Sequence, residues 1–257
     1  MKSKQIILVV IALLLSVGFL FAQEAAEVVA ETAAPASSQG GLFQLYIDSG
    51  NFAHLILINF LIGLALAVVR YIQLYVREKI DAEKFFLKLK NFVKNDQIEE
   101  ATKISEQFKG TTMGFIFWSG LAVFKDIRKS GKKGEEARIA VQNAFDEAVL
   151  QKVHKLDGGL FWFDTLAQIS TYLGLLGTIF GLIAAFSALE GLTGAAQNAE
   201  LTNGIRLAIG TTAFGLIGAI PLTLIKGGLF TRAQNLISDI DEYSVKLVNH
   251  INNQIKD

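Results

Sequence analysis

Two long uncharged segments near the carboxyl end constrain this chain more than any other feature of its sequence. Residues 165–189 are 25 consecutive positions without Asp, Glu, Lys or Arg, and residues 207–225 form a second such run of 19. At about 1.5 Å per helical residue, the second run just spans a hydrocarbon core of about 30 Å and the first exceeds it, so the first helix must tilt or project. The chain is therefore predicted to be a membrane protein, in keeping with its 51% hydrophobic residues and mean hydropathy of +0.41.

An earlier apolar stretch, residues 52–76, is predicted to be a further membrane helix, and the charge distribution orients all three. Seventeen of the 24 Lys and Arg lie between positions 70 and 155. By the positive-inside rule this region is cytoplasmic, which puts the N-terminus on the outer side of the membrane and the C-terminus in the cytoplasm. The predicted parts are membrane helices at 52–76, 161–189 and 204–228, a cytoplasmic helical domain at 77–160, a periplasmic loop at 190–203 and a cytoplasmic C-terminal helix at 229–257.

The beginning of the sequence is typical of a targeting segment. Lys2 and Lys4 precede an apolar run, and Ala22 ends a plausible cleavage site, which predicts a signal peptide over residues 1–22. Leu20 is larger than the small residue that such a site prefers, so an uncleaved membrane anchor stays open as an alternative. Residues 23–51 are predicted to be a flexible periplasmic tail, because their first part is rich in Ala, Glu and Ser.

The charged region between the first two spans carries apolar residues at helical spacing, which predicts amphipathic helices in an all-α fold. The two series are Phe85, Phe86, Leu89, Phe92 and Val93, and then Val141, Phe145, Ala148, Val149 and Val153. Lysines interleaved with the first series allow binding to a lipid surface, but 13 acidic residues in the region favour an ordinary solvated face. No pattern indicates nucleic-acid binding.

Catalytic and metal-binding motifs are not expected. The chain has no cysteine, and its three histidines are scattered without metal-ligand spacing. Neither a nucleophile motif nor a phosphate-binding loop is present. We therefore expect no enzyme activity, no catalytic residue, no metal and no cofactor.

Small residues and threonines share one face in each of the last two spans. In the second span they are Gly174, Thr178, Gly181 and Ala185, and Gly177 with Gly181 forms a G-x-x-x-G pair. In the third span they are Ala208, Thr212, Gly215 and Ala219. Such faces let membrane helices pack closely. The faces are compatible either with a plain packing seam, in which each threonine bonds to its own helix, or with a narrow polar track for ions.

These segments resemble the MotA/TolQ/ExbB proton channel family, whose stator subunits convert proton-motive force into mechanical work. The second-span motif of that family is similar to Gly174-Leu175-Leu176-Gly177-Thr178 followed by Gly181 and Phe186. Its third-span motif resembles Gly204-Ile205, Thr212-Ala213, Gly215-Leu216 and Ala219-Ile220-Pro221. The resemblance covers about residues 136–232 and is weaker over residues 114–124.

The resemblance implies a role for each motif. Thr178 and Thr212 would line the proton pathway, and the small residues with Pro221 would serve helix packing and partner contact. Family members form a homopentamer around a dimer of a single-span ExbD-, TolR- or MotB-like subunit, and a TonB-like or TolA-like transducer follows, all in membrane lipid. The partner's intramembrane Asp carries the proton. The residues agree with these separate roles of the two subunits, because residues 165–189 and 207–225 contain no carboxylate that could relay protons.

The sequence departs from the family pattern at several positions. Tyr172 and Asn203 stand where the family often has Pro, and Leu207 stands where it often has Glu. Arg206 adds a cation at the predicted outer end of the third span. The candidate residues for electrostatics at the mouths of the pathway are Arg206, Glu200 and Asp164.

Three functional hypotheses remain at the level of the sequence. A leader and an outer tail before the first span favour an ExbB-like subunit that energises TonB-dependent transport. The alternative within the family is a TolQ-like subunit of the Tol-Pal envelope-integrity system. An alternative of another class is a membrane scaffold that conducts no ions.

Overall fold

The computed structural model describes residues 46–47, 49–131, 133–191 and 193–255, and in these ranges the secondary structure is helical. The predicted signal peptide and nearly all of the predicted tail lie outside the described residues. The elements are α1 (Gly50–Tyr71), a π-helix (Ile72–Arg77), α2 (Ala82–Lys94), α3 (Ile98–Gln107), α4 (Thr112–Ser130), α5 (Gly134–Lys152), α6 (His154–Asp157), α7 (Phe161–Gly191) and α8 (Gly194–Asn252).

Three helical stretches among the described residues are long and apolar enough to cross a membrane, and they start at Gly50, Gly134 and Gly194. The prediction of an all-helical fold with three helices apolar enough to span a membrane is confirmed for the described residues. The chain divides into two compact units. Of the described residues, those up to 68 together with those in 159–227 form one unit, called here the span unit. The described residues in 69–158 and from 228 to 255 form the other, called here the charged unit.

The charged unit has an aromatic core. Phe117 of α4 stacks on Phe85 of α2 with ring centroids 5.6 Å apart, and it meets Phe145 of α5 edge-on at 6.2 Å. Both predicted amphipathic helices are confirmed, with Phe85, Phe86, Leu89 and Val93 buried on α2 and Val141, Phe145 and Ala148 buried on α5. The remaining residues of the two predicted series, Phe92, Val149 and Val153, are half-buried, because they lie at the flanks of these faces.

Side-chain caps and one left-handed glycine set the ends of these helices. Asp81 accepts a hydrogen bond from the backbone of Lys84 at the start of α2, and Thr111 accepts one from the backbone of Gly114 at the start of α4. Gly131 ends α4 with φ at +71°, a conformation in which a Cβ would be strained. Glu78 also binds the first residue of α4, and its carboxylate accepts from the Thr112 amide at 2.7 Å and hydroxyl at 2.9 Å.

Helix α8 is longer than the sequence pattern indicated. It begins at Gly194, so most of the segment predicted as a loop over 190–203 is helical, and it continues through Pro221 to Asn252 without a separate C-terminal helix. Hydropathy marks where a chain leaves the membrane, whereas helix ends depend on breakers. Between positions 195 and 202 the chain has only alanine, glutamine, asparagine, glutamate, leucine and threonine, with neither glycine nor proline.

Candidate functional site: the seam between α7 and α8

The span unit contains a seam at which α7 and α8 approach backbone to backbone. A methyl carbon placed on Gly177 would lie 2.5 Å from the Cβ of Thr211, and one on Gly181 would lie 2.6 Å from the backbone nitrogen of Ala208. A methyl carbon on Gly174 would lie 3.0 Å from the carbonyl oxygen of Thr211. A larger residue at Gly177 or Gly181 would therefore force the two helices apart.

The glycines of α8 lie equally close to the backbone of α7. A methyl carbon on Gly204 would lie 2.6 Å from the backbone nitrogen of Ala185, and one on Gly215 would lie 2.7 Å from the carbonyl oxygen of Ser170. Ala185, Ala208 and Ala219 are buried. The structure thus brings together most of the small residues selected from the sequence, namely Gly174, Gly177, Gly181, Ala185, Ala208 and Gly215, and it does so along four turns of α7. Contacts of this kind hold helices together in lipid, where hydrophobic exclusion between helices is weak.

The three threonines near the seam differ in burial and in the carbonyl groups to which they donate. The Thr178 hydroxyl donates to the Leu175 carbonyl of its own helix at 2.6 Å, and the Thr212 hydroxyl donates across the seam to the Gly174 carbonyl at 3.4 Å. Thr178 and Thr212 therefore do not share a hydrogen bond, because each hydroxyl donates to a carbonyl. Thr178 and Thr212 are half-buried, and the hydroxyl that bridges the helices does so through a long, easily exchanged bond.

Thr211 was not selected from the sequence, yet it is the fully buried threonine of the seam. Its side chain covers Gly177, and its hydroxyl donates to the Leu207 carbonyl at 2.9 Å and to the Ala208 carbonyl at 3.0 Å. The spacing of Ala208 and Gly215 fits a shared helical face with Thr211 and equally a shared face with Thr212. Sequence spacing alone cannot distinguish these two neighbours, and only the packing of α7 decides between them.

Helix α1 joins the seam through a polar contact. The Asn59 amide donates to the Leu166 carbonyl at 2.7 Å and to the Ser170 hydroxyl at 2.8 Å, and all of these groups are buried. Ser170 in turn lies against Gly215, so the three helices meet at this point. In the sequence, Asn59 stands out only as the single polar interruption of an apolar run, which was the available signal for this contact.

One ion pair joins α7 to α8 within the span unit. The Lys226 ammonium lies 2.6 Å from the Asp164 carboxylate, and both side chains are partly exposed. The neighbouring Phe161 and Trp162 are exposed aromatic residues, as is typical of a membrane–water interface. Arg206 and Glu200, the other candidates for electrostatics at a mouth, are exposed on α8. Across the described residues, no group of three or more His, Asp or Glu side chains could hold a metal ion.

The comparisons with known proteins agree with this architecture. Residues 119–242, which include α7 and most of α8, match the MotA/TolQ/ExbB proton channel family. Over this part of its length the chain is similar to that family.

Among its curated relatives are proteins of two kinds. The Tol-Pal system protein TolQ of Haemophilus influenzae is 31% identical over 137 residues, which are 51% of this chain and 60% of that protein. The biopolymer transport protein ExbB of Aquifex aeolicus is 34% identical over 99 residues, which are 38% of this chain and 65% of that protein. TolQ of Pseudomonas aeruginosa is 30% identical over 123 residues, 48% of this chain and 53% of that protein. The chain thus spans between about half and two thirds of the length of these relatives.

Proposed function

We propose that this chain is an inner-membrane stator subunit of a motor driven by the proton-motive force. The observation that carries the proposal is the α7–α8 seam, in which close backbone packing and threonine hydroxyls are combined in two segments, residues 165–189 and 207–225, that lack any carboxylate. The similarity to a proton channel family supports the same function. A homopentamer with its N-terminus in the periplasm and its C-terminus in the cytoplasm is part of this proposal.

The proton carrier in this scheme is an intramembrane Asp on a single-span, ExbD-like partner. Thr212 and Thr178 would hydrogen-bond that carboxyl group, or water beside it, as it changes charge. The 3.4 Å bond from Thr212 to Gly174 is long enough to be exchanged for a partner at little cost. A membrane potential contributes about 2.3 kcal/mol per charge per 100 mV, which is sufficient to bias the movement of the partner against the seam.

Within the family, we propose an ExbB-like role that energises TonB-dependent transport across the outer membrane. The TolQ-like role in envelope integrity is the second candidate, and the similarity to two TolQ proteins favours it. A mild-detergent purification of the tagged chain from its native membrane, followed by mass spectrometry, tests both. We expect a small single-span protein with a membrane Asp, and a TonB-like or a TolA-like third component distinguishes the two roles. Recovery of a homo-oligomer alone, under several detergents, would support the non-conducting scaffold instead.

Substitution of the threonines tests the chemistry separately from assembly. We expect Thr178→Val and Thr212→Val to assemble normally but to lose proton flux into vesicles that contain the chain and its co-purified partner. Thr223→Val is the matched control, since its hydroxyl donates to the Ala219 carbonyl of its own helix at 3.1 Å. Normal flux in both seam variants would contradict the pathway.

A further inference from the structure

Helix α2 presents a basic face with an exposed leucine at its centre. The side of α2 opposite its buried residues carries exposed polar and charged side chains, namely Lys84, Lys88, Asn91 and Lys94. Leu87 lies among them and is 45% exposed. Lys84 is bound by Asp81 at 2.7 Å and Glu83 is also exposed on α2, so the excess positive charge of this face is small and comes from Lys88 and Lys94.

Helix α5 presents the opposite combination. The side of α5 opposite Val141 and Phe145 carries the exposed acidic residues Asp146 and Glu147. Two aliphatic side chains frame them, Ile139 at 51% exposure and Leu150 at 69%. Leu150 lies one turn from these carboxylates and Ile139 about two turns from Asp146, so the face combines negative charge with exposed aliphatic side chains outside the predicted spans.

The two faces belong to one compact unit but cannot meet within one copy. Phe117 of α4 lies between the two helices, since it contacts Phe85 of α2 and Phe145 of α5. Each helix therefore turns its buried side toward the shared core and its charged face away from it. Only a second copy of the chain can bring the α5 face against the α2 face.

We propose that the α2 face of one copy binds the α5 face of the next. Leu87 would pack between Ile139 and Leu150, while Lys88 and Lys94 would lie opposite Asp146 and Glu147. Because the two surfaces differ, the contact is heterologous, and its repetition closes a ring when the rotation allows. The inference rests on the homo-oligomer of the proposed function and assigns the surfaces through which neighbouring copies meet.

Cysteine cross-linking tests this contact cleanly, because the chain has no cysteine of its own. Two differently tagged full-length copies are co-expressed, one with Leu87→Cys and the other with Leu150→Cys, and membranes are treated with a mild oxidant. We expect a disulfide-linked product that carries both tags, several-fold above the yield with Lys103→Cys in place of Leu150→Cys. Lys103 is an exposed residue of α3 and provides the matched control.

Charge reversal then separates this contact from oligomerisation as such. Glu147→Lys should lower the cross-linking yield by placing like charges together, and Lys88→Glu in the other copy should restore it. The mass of the unmodified chain in detergent is measured in parallel. An oligomer without the mixed product, or with as much product from the Lys103→Cys control, would refute the proposed faces and leave the stator function intact. A monomeric chain would refute both, and Leu87→Cys linked mainly to itself would indicate a symmetric contact and also refute the proposal.

Discussion

The seam in the span unit and the core of the charged unit are both helical contacts, but they are built in opposite ways. In the charged unit, large aromatic rings fill the space between helices, with Phe117 at the centre. In the seam, glycines remove side chains so that backbones touch, with Gly177 and Gly181 at the centre. The difference follows from the solvent. Water drives large apolar groups together, whereas lipid does not, so helices in lipid gain from close contact instead.

The largest expected effect comes from emptying the aromatic core. Phe117→Ala should destabilise the charged unit by about 3–5 kcal/mol, because it leaves a cavity that Phe85 and Phe145 cannot close. Thermal unfolding of the purified chain, followed by circular dichroism, measures this. Phe108→Ala is the control, since Phe108 is partly exposed and should cost much less. Equal losses in the two variants would show that the core is not centred on Phe117.

Filling the seam is the converse test. Gly177→Val should destabilise the pairing of α7 and α8 by about 1–3 kcal/mol through overpacking against Thr211. Gly228→Val is the control, because nothing lies within 4 Å of a methyl carbon placed there. Both variants carry the same change in intrinsic helix propensity, so the difference in melting temperature reports the seam alone. A melting temperature that is the same for both would contradict backbone contact at Gly177.

Removal of the polar contact from α1 should have a smaller effect. Asn59→Leu deletes two interhelical hydrogen bonds, and bonds of this kind in membranes contribute about 0.6 kcal/mol each on average, with maxima near 1.7. We expect a modest fall in melting temperature, greater than that of Ser187→Ala at an exposed position of α7. A rise in melting temperature would show that the buried side-chain amide of Asn59 destabilises the folded chain.

The smallest expected effect is on the pH dependence of stability, and it involves a histidine of the charged unit. Burial lowers the pKa of His250 below 6.5, and the nearby Lys90 and Lys94 lower it further. His250 therefore binds a proton more readily in the unfolded chain than in the folded one. The contribution of neutral His250 to the free energy of unfolding is present above pH 6.5 and declines as the pH falls below that value. His250→Gln should flatten the dependence of melting temperature on pH between about 5 and 7, in the window around the unperturbed histidine pKa. His154→Gln, at an exposed position, should leave it unchanged.

Much of the helical framework was predictable because it depends on local pattern. Runs without charge predict the spans, and the buried residues of α2 and α5 follow from helical spacing. The start of α8 was not predictable from hydropathy, since Gly194 begins a helix well before the chain becomes apolar. The site was predictable in part. The glycines at 174, 177 and 181 were recognisable from their spacing, whereas the partner of each depended on the approach of α8.

By itself, the sequence determined that three helices of the described part of the chain are apolar enough to cross a membrane and that two of them carry small residues on one face. Charge, hydropathy and helical period are local properties, and they can be determined from the sequence without a structure. The tertiary structure alone decided that Thr211 rather than Thr212 covers Gly177, and that Asn59 binds α7 at Leu166 and Ser170. Such contacts depend on the rotation of each helix about its axis, and a rotation of one residue position exchanges neighbours that are equivalent in the sequence.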